Sequence, residues 1–438
     1  VRRERSAHVL VRYADFRRLF IGNSVSQLGS SVTTVALPLS AVVYLHASPF
    51  QMGLLGAAAL APHFVLGLPA GVWVDRLPYR RILVGADIAQ AVLIGAVPVL
   101  ALLHALSLWQ LYLVVTLAGV ASLFENVTAQ SFTPSLLPRD QLASANSALM
   151  AGSATVSTTG SAVGSALVTL FAAPFALALD AVSFAVAGAC KARISSTGPV
   201  RRTVGRQRLG AEIAVGLRAV LTRPTLRAVM SAAALGALAG QMQSVMLVLF
   251  LVQGLKLSAG FTGLAITLVG VSGVLSAVAS TRVSRRLGPG PAFIAGMLVS
   301  ASAGLVLVLA AGPRPVVLAV VALAQVLRGA GPSLYGVNQQ TLRQTLVQPE
   351  LLSRTNATWR FLVYGLQPVG ALLGGLLGSV DLRLTLVVSS VVMLLGAAVA
   401  LRSPLRSLRE TPAAATDLRP RSGRPADPPD PHSQRPAA

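Results

Sequence analysis

Acidic side chains are scarce in this chain, and lysine and cysteine are nearly missing. Charged residues make up 11% of its 438 positions, against about 25% in an ordinary soluble domain. Hydrophobic residues make up 54%, and the mean hydropathy is +0.69. Such a composition excludes a soluble globular protein and implies an integral membrane one. A single cysteine, Cys190, rules out an intramolecular disulfide and says nothing about redox compartment. The five histidines show no HxxxH or HExxH spacing, which leaves a metal site without support. Only two lysines occur against 34 arginines, and neither Lys191 nor Lys256 stands in the Gly-Lys-Ser/Thr setting that holds nucleotide phosphates. No ATP hydrolysis and no cofactor are expected. No nucleophile and base or set of metal ligands accompanies the apolar runs, which disfavours a membrane-embedded enzyme.

What is present is a series of long apolar runs separated by short basic segments. The formal charge of +22 would suit a nucleic-acid binder only if the basic residues shared one soluble face. They punctuate apolar stretches instead, so no nucleic-acid partner is expected. Charge-free runs of about 20 residues are long enough to span a bilayer. They predict helices at 19–43, 51–74, 82–103, 109–133, 143–171, 174–191, 227–252, 259–281, 291–311, 315–340, 355–378 and 383–401. The implied fold class is an all-α integral membrane protein with twelve transmembrane helices. Of the 36 basic residues, 31 fall before, between or after spans on the side of the chain ends, Lys191 among them. Positive residues resist translocation, so both termini are expected in the cytoplasm and the protein in the inner (plasma) membrane. The expected organisation is a basic N-terminus (1–18), a six-helix half (19–191), a basic linker (192–226) that would lie on an anionic inner leaflet, a second half (227–401) and a disordered tail (402–438). Val1–Arg18 carries no signal-peptide cleavage site, and the first helix is expected to remain.

The sequence repeats under a shift of 210 residues. QSFTPSLLPRDQLASAN (130–146) falls on QTLRQTLVQPELLSRTN (340–356), Gly53 on Gly263, Gly160 on Gly370, Gly164 on Gly374 and Arg76-Leu77 on Arg286-Leu287. Two parallel six-helix repeats are implied.

Against that background GVWVDRLPYRR (71–81), a charged hinge between two apolar runs, resembles the loop between helices 2 and 3 of major facilitator superfamily transporters. SPFQMGLL, LPAGVWVDRL, LLPRDQLASAN, LDAVSF and ELLSRTNATWRFLVYGLQPVG extend the likeness to the bacterial exporters of macrolides and siderophores, over roughly residues 15–401. The resemblance implies two rocking halves, a substrate site near the midplane lined by helices 1, 4, 7 and 10, and a cytoplasmic gate loop of Gly71, Asp75, Arg76, Arg80 and Arg81. In that reading Gly71 lets helix 2 approach helix 11, and Asp75 faces the start of helix 11 near Asn356. Two positions depart from the family pattern, Pro78 where Gly is usual and Tyr79 where a basic residue is usual. Ser161 also stands where superfamily antiporters carry the proline of a helix 5 Gly-Pro motif.

The resemblance implies a secondary active exporter of a hydrophobic or amphiphilic small molecule (drug, macrolide or siderophore-like) working by proton antiport, with an uptake symporter or lipid flippase as the alternative. Coupling to a proton or other ion needs an ionisable group in the membrane, where a charge costs about 3 kcal/mol on insertion scales. Glu125, in helix 4, is the proton-coupling candidate; a cytoplasmic-side ion pair is its structural alternative. Polar stripes at helical spacing mark the cavity and substrate candidates Asn23, Gln27, Ser30 and Thr34 in helix 1 and Gln325, Arg328, Tyr335 and Gln339 in helix 10, and Gln241 and Gln243 in helix 7 complete the expected lining. For Arg328 a pair with Glu125, another salt bridge and a substrate contact all stay open. Asp87 and Asp180, near predicted helix ends, are expected to make interfacial hydrogen bonds. Gly160 and Gly164 in helix 5, and Pro368, Gly370 and Gly374 in helix 11, are expected at helix packing contacts.

Overall fold

The computed structural model describes residues 9–74, 76–197, 218, 221–347 and 349–408. Among them run twelve long helices: α1 Ala14–Leu39, α2 Pro49–Val74, α3 Tyr79–Leu102, α4 Leu108–Phe132, α5 Leu142–Leu170, α6 Ala173–Ala192, α7 Pro224–Leu249, α8 Ala259–Leu287, α9 Pro289–Val308, α10 Arg314–Leu346, α11 Pro349–Val380 and α12 Leu382–Leu401. Each expected span corresponds to one of them. Eleven are long and apolar enough to cross a membrane.

The helix starts follow from local chemistry. Proline opens α6, α7, α9 and α10 within their first two positions, where its missing N–H leaves no bond unmade. Ser107 and Gln110 form a capping box on α4. Asp381 accepts from the backbone N–H groups of Arg383 and Leu384 to cap α12.

The 210-residue repeat is visible in the backbone. Helices α1, α2 and α3 begin at 14, 49 and 79, and α7, α8 and α9 at 224, 259 and 289. Both α1 and α7 end in a π turn, Ser40–Tyr44 and Phe250–Gly254. Each π turn is followed by a residue in the left-handed region, His46 at φ 52° and Lys256 at φ 54°. Matching irregularities at matching positions are harder to obtain by chance than matching helices.

Both described chain ends lie on one face of the bundle, here the terminal face. On the opposite, far face the two sets of six helices share one apolar core. It joins Leu39 and Val42 of the first helix and its π turn, Leu55 of α2, Met246 and Leu249 of α7, and Ala371 of α11. Toward the terminal face the cores separate. One joins Leu19, Val74, Leu83 and Phe132, the other Val229, Phe293, Leu342 and Ala397. The seam between α2 and α11 shows the same divergence. A Cβ on Gly53 would come within 2.7 Å of the Gly375 Cα, and the Phe64 and Phe361 rings lie 5.3 Å apart. Beyond them nothing described lies within 4 Å of where Cβ atoms of Gly67 and Gly71 would stand. The molecule is shut on the far face and parted on the terminal face.

Two expectations need correction here. The sequence predicts a disordered tail from residue 402, but the packed course continues to Leu408. Leu405 is fully buried, and Gly290 donates its N–H to the Leu408 carbonyl at 3.2 Å. The sequence hides this because it depends on a missing side chain: a Cβ at Gly290 would stand 1.9 Å from the Leu405 carbonyl oxygen. Among the described residues the close approach of Gly71 to the second half is also absent from this conformation, because the halves have parted there. Asp75, residues 198–217 of the basic linker and the tail from 409 lie outside the described residues.

Candidate functional site

Two cavities meet between the halves near mid-span. The first, of about 490 Å³, is mostly apolar and lies chiefly against the first half, between Leu55 and Leu60 of α2, Ile94 of α3, Val115 of α4 and Phe184 of α6. Its polar lining comes from Ser30, Thr33, Thr34, His63, Gln90, Ser122 and Asp180, with Gln241 and Ser244 of α7. The second, of about 620 Å³, lies against the second half and is lined by Gln243, Ser244, Ser300, Arg328, Ser333 and Tyr335 among small apolar residues. Thr34 and Ser244 line both. Each volume falls within the range of about 300–1,000 Å³ usual for small-molecule sites.

A buried ion cluster backs the first cavity. Lys191 Nζ lies 3.0 Å from Asp87 Oδ1 and 2.7 Å from Glu125 Oε1. Gln90 Nε2 donates to Glu125 Oε2 at 2.8 Å. Helix α6 carries Lys191 on its last turn, α3 carries Asp87 and Gln90 one turn apart, and α4 carries Glu125, so three helices meet at one ammonium. Gly22 of α1 makes room for the lysine: a Cβ there would stand 3.2 Å from Lys191 Cγ. The side chains of Lys191 and Asp87 are fully buried, while that of Glu125 keeps 14% exposure. Glu125 is therefore the one member of the cluster with exposed surface, and its partner Gln90 lines the first cavity. One ammonium facing two carboxylates leaves one negative charge in excess, which a single proton removes.

Three sequence expectations change here. Lys191 does not join the basic residues outside the spans but sits within the bundle, because two carboxylates outweigh the pull of the polar face. Asp87 makes no interfacial hydrogen bond; it is an ion-pair partner with Oδ2 left unpaired. Asp180 is likewise buried, where it accepts a very short hydrogen bond from Thr33 Oγ1 and one of 3.1 Å from Ser183. Below the cluster the chain leaving α6 is pinned. Arg80 donates to the Ile194 carbonyl at 2.8 Å, and Asp15 accepts from the Ser195 and Ser196 N–H groups.

The second cavity is chemically different. Arg328 has no carboxylate within ion-pair distance among the described residues; the salt bridges formed are those of Arg18 with Asp15 and of Lys191. The pair with Glu125 is not made. Gln325, one turn back on α10, is fully buried with neither amide atom satisfied, and Gln243 is 5% exposed with Nε2 unpaired. Both share with Arg328 a narrow crevice beside Gly304 and Leu386.

The remaining candidates divide. Ser30, Thr34, Gln241, Gln243, Arg328 and Tyr335 line the cavities, while Gln325 opens into the crevice behind them. Asn23, Gln27 and Gln339 line neither cavity. Arg76 and Arg81 are exposed. At the packing positions, a Cβ on Gly160 would meet Ser31 Cβ at 2.5 Å, on Gly164 Val32 Cα at 2.9 Å, on Gly370 the Leu238 carbonyl at 2.4 Å and on Gly374 Met242 Cα at 3.0 Å. Pro368 lies inside α11. These glycines set α5 against α1 and α11 against α7.

A family model described as Major Facilitator Superfamily matches residues 19–364 and again 229–432. The chain belongs to the major facilitator superfamily. Its members are membrane transporters, and this chain is one of them rather than an enzyme. Among relatives, it is 27% identical over 393 residues to "Multidrug efflux pump Tap" of Mycolicibacterium fortuitum, covering 87% of this chain and 93% of that protein. It is 26% identical over 134 residues to "Macrolide efflux protein A" of Streptococcus pyogenes, covering 30% of this chain but only 33% of that protein. Among solved structures, a mutant of the nucleoside transporter NupG superposes with a TM-score of 0.74 at 11% identity, over 88% of this chain and 99% of that one. That likeness is one of fold.

Proposed function

We propose that this transporter exports a hydrophobic or amphiphilic small molecule by alternating access, in exchange for protons, across the plasma membrane with both termini in the cytoplasm. The observation that carries the proton coupling is the cluster of Lys191, Asp87 and Glu125: a buried group with one excess negative charge, whose exposed member lies beside the cavity. A proton taken up by Glu125 neutralises the cluster. It also releases the carboxylate's hold on Lys191 and Gln90, which belong to different helices, so protonation and helix position are linked. Efflux as the direction is supported by what the similar relatives are named for, and the mostly apolar first cavity supports an apolar cargo body.

In this reading the parted terminal face is the cytoplasmic entrance. The two halves, 19–191 and 227–401, rock about the far-face core. The hinge of Gly71, Asp75, Arg76, Arg80 and Arg81 closes on α11 when the entrance shuts, while the basic linker rests on anionic lipid.

The test is accumulation of fluorescent dyes and macrolides in efflux-deficient cells expressing wild type or Glu125→Gln, with and without a protonophore. Wild type should lower accumulation, and both the substitution and the protonophore should abolish the effect. Export that survives in Glu125→Gln removes Glu125 from the coupling role. Wild type that raises accumulation reverses the direction.

A further inference from the structure

The second cavity holds a charge that no carboxylate among the described residues answers. Arg328 stands 14 residues from the start of α10, about 21 Å along the axis at 1.5 Å per residue and so near mid-span. Arginine cannot shed its proton at any working pH, so the route open to the Glu125 cluster, neutralisation by a proton, is closed here. A mid-membrane guanidinium costs about 3 kcal/mol on insertion scales and no described carboxylate pairs with it. Around it the groups are amides and hydroxyls: Gln243, Ser244, Ser300, Ser333 and Tyr335 line the same cavity, and among the described residues no Asp or Glu does. Gln243 and Gln325 add amide nitrogens that are buried and without acceptors. A buried donor left unmade costs about 1–3 kcal/mol; two amide nitrogens stand here against one unpaired amide oxygen, Gln325 Oε1, so this corner of the molecule lacks a negative charge and has more unmet donors than acceptors.

We infer that the cargo carries an anionic group, a carboxylate or phosphate, which binds Arg328 and Gln243 in the second half while its apolar body lies in the first cavity. The inference rests on the transport reading above and narrows its substrate class from apolar to anionic amphiphile. Thr34 and Ser244, common to both cavities, place the two parts of such a molecule in one continuous space. A planar guanidinium matches a carboxylate or phosphate in two parallel bonds, and Gln325 lies behind the arginine in the shared crevice.

The experiment measures thermal unfolding of the purified full chain in a non-ionic detergent. Decanoate and decyl phosphate are compared with methyl decanoate and decanol, and in a second arm phosphatidylglycerol with phosphatidylcholine. Because a ligand stabilises the state that binds it, each soluble anion should raise the midpoint of wild type above its neutral counterpart by about 2 °C or more. Arg328→Gln should erase that difference, Arg328→Lys should keep part of it, and Glu125→Gln should keep all of it while losing export. Arg328→Lys preserves the charge and so remains informative if Arg328→Gln fails to fold. A preference confined to phosphatidylglycerol makes the bound anion a lipid headgroup and overturns the soluble cargo. Anions no better than their neutral counterparts in wild type, or a difference unchanged in Arg328→Gln, overturn the inference while leaving export untouched.

Discussion

The two halves share a backbone and divide the chemistry. Under the 210-residue shift, Glu125 falls on Tyr335, Asp87 on Met297, Gln90 on Ser300, Asp180 on Ser390 and Lys191 on Leu401. Conversely Arg328 falls on Ala118 and Gln325 on Val115. The first half holds an acid-rich cluster whose ammonium is paired, though Asp87 Oδ2 is not, and the second a cation without a carboxylate beside unpaired amides. A repeat that had only to pack would have no reason to separate the charges in this way. In the proposed reading one half responds to a proton and the other to cargo, with the rocking of one against the other as the link between them.

The largest effect should come from removing the cation of the first half. Lys191→Ala leaves Asp87 and Glu125 facing each other, buried and unpaired, and breaking a buried ion pair costs about 3–5 kcal/mol. The yield of monodisperse protein and its melting midpoint should fall sharply. Lys191→Met combined with Asp87→Asn removes both charges and should recover a large part of that loss without recovering export. Lys191→Ala as stable as wild type would show that the cluster is not held as described.

Next in size are changes at the seam. Gly53→Val drives a side chain onto the Gly375 backbone 2.7 Å away, and overpacking of this kind costs about 1–3 kcal/mol. It should shift the population from the far-face-closed form toward the opposite one. Gly71→Val meets nothing in the present form and should penalise only the form in which the terminal face shuts, shifting the population the other way. Distances between spin labels on the two faces would read both. Shifts in the same direction would separate Gly71 from the gate.

Much of the fold could be read from the sequence because a membrane leaves few choices: every backbone group must be satisfied within a helix, so long charge-free runs become spans. The candidate site was legible where polar residues recurred in a span, as with Ser30, Thr34 and Tyr335, or where a residue looked expensive in its own span. Glu125 and Arg328 stood out for that reason. Lys191 did not, because it lies one residue from the end of α6, where positive charge is ordinary. A signal was nonetheless present. In a chain with 34 arginines and two lysines, a lysine marks a place where the two differ. A compact ammonium on a thin stem fits between Gly22 and two carboxylates, whereas a guanidinium is wider and planar. The meeting of α3, α4 and α6 at that ammonium is a three-dimensional fact that no spacing within one helix encodes.

The contrast between satisfied and unsatisfied groups can be sharpened by a matched pair. Thr33 and Gln243 occupy equivalent positions in the repeat. Thr33→Val removes a donor from the buried Asp180 carboxylate, and a hydrogen bond to a charged group is worth about 1.5–3 kcal/mol. Gln243→Leu removes an amide whose nitrogen has no partner, so stability should change by less than about 0.5 kcal/mol, or rise. Unfolding midpoints of the two variants test this. Equal destabilisation would mean that Gln243 is satisfied in the membrane-embedded protein and would weaken the anion site with it.

The smallest effect lies at the terminal face of the second half, where the Arg343 guanidinium sits 4.9 Å from the centre of the Trp359 ring. The first half has Thr133 and Leu149 at these positions and forms no such contact. A partly exposed cation–π pair is worth about 0.5–1 kcal/mol, and it ties α10 to α11 on the side that has parted from the first half. Arg343→Gln should lower the unfolding midpoint by a degree or so, whereas Arg343→Lys should keep most of the contact. In a Trp73→Phe, Trp109→Phe background, Trp359 alone reports, and its emission should shift in Arg343→Gln. An emission that does not move means that the ring and the guanidinium do not share an environment, and that α10 and α11 are held together on this face by their apolar packing alone.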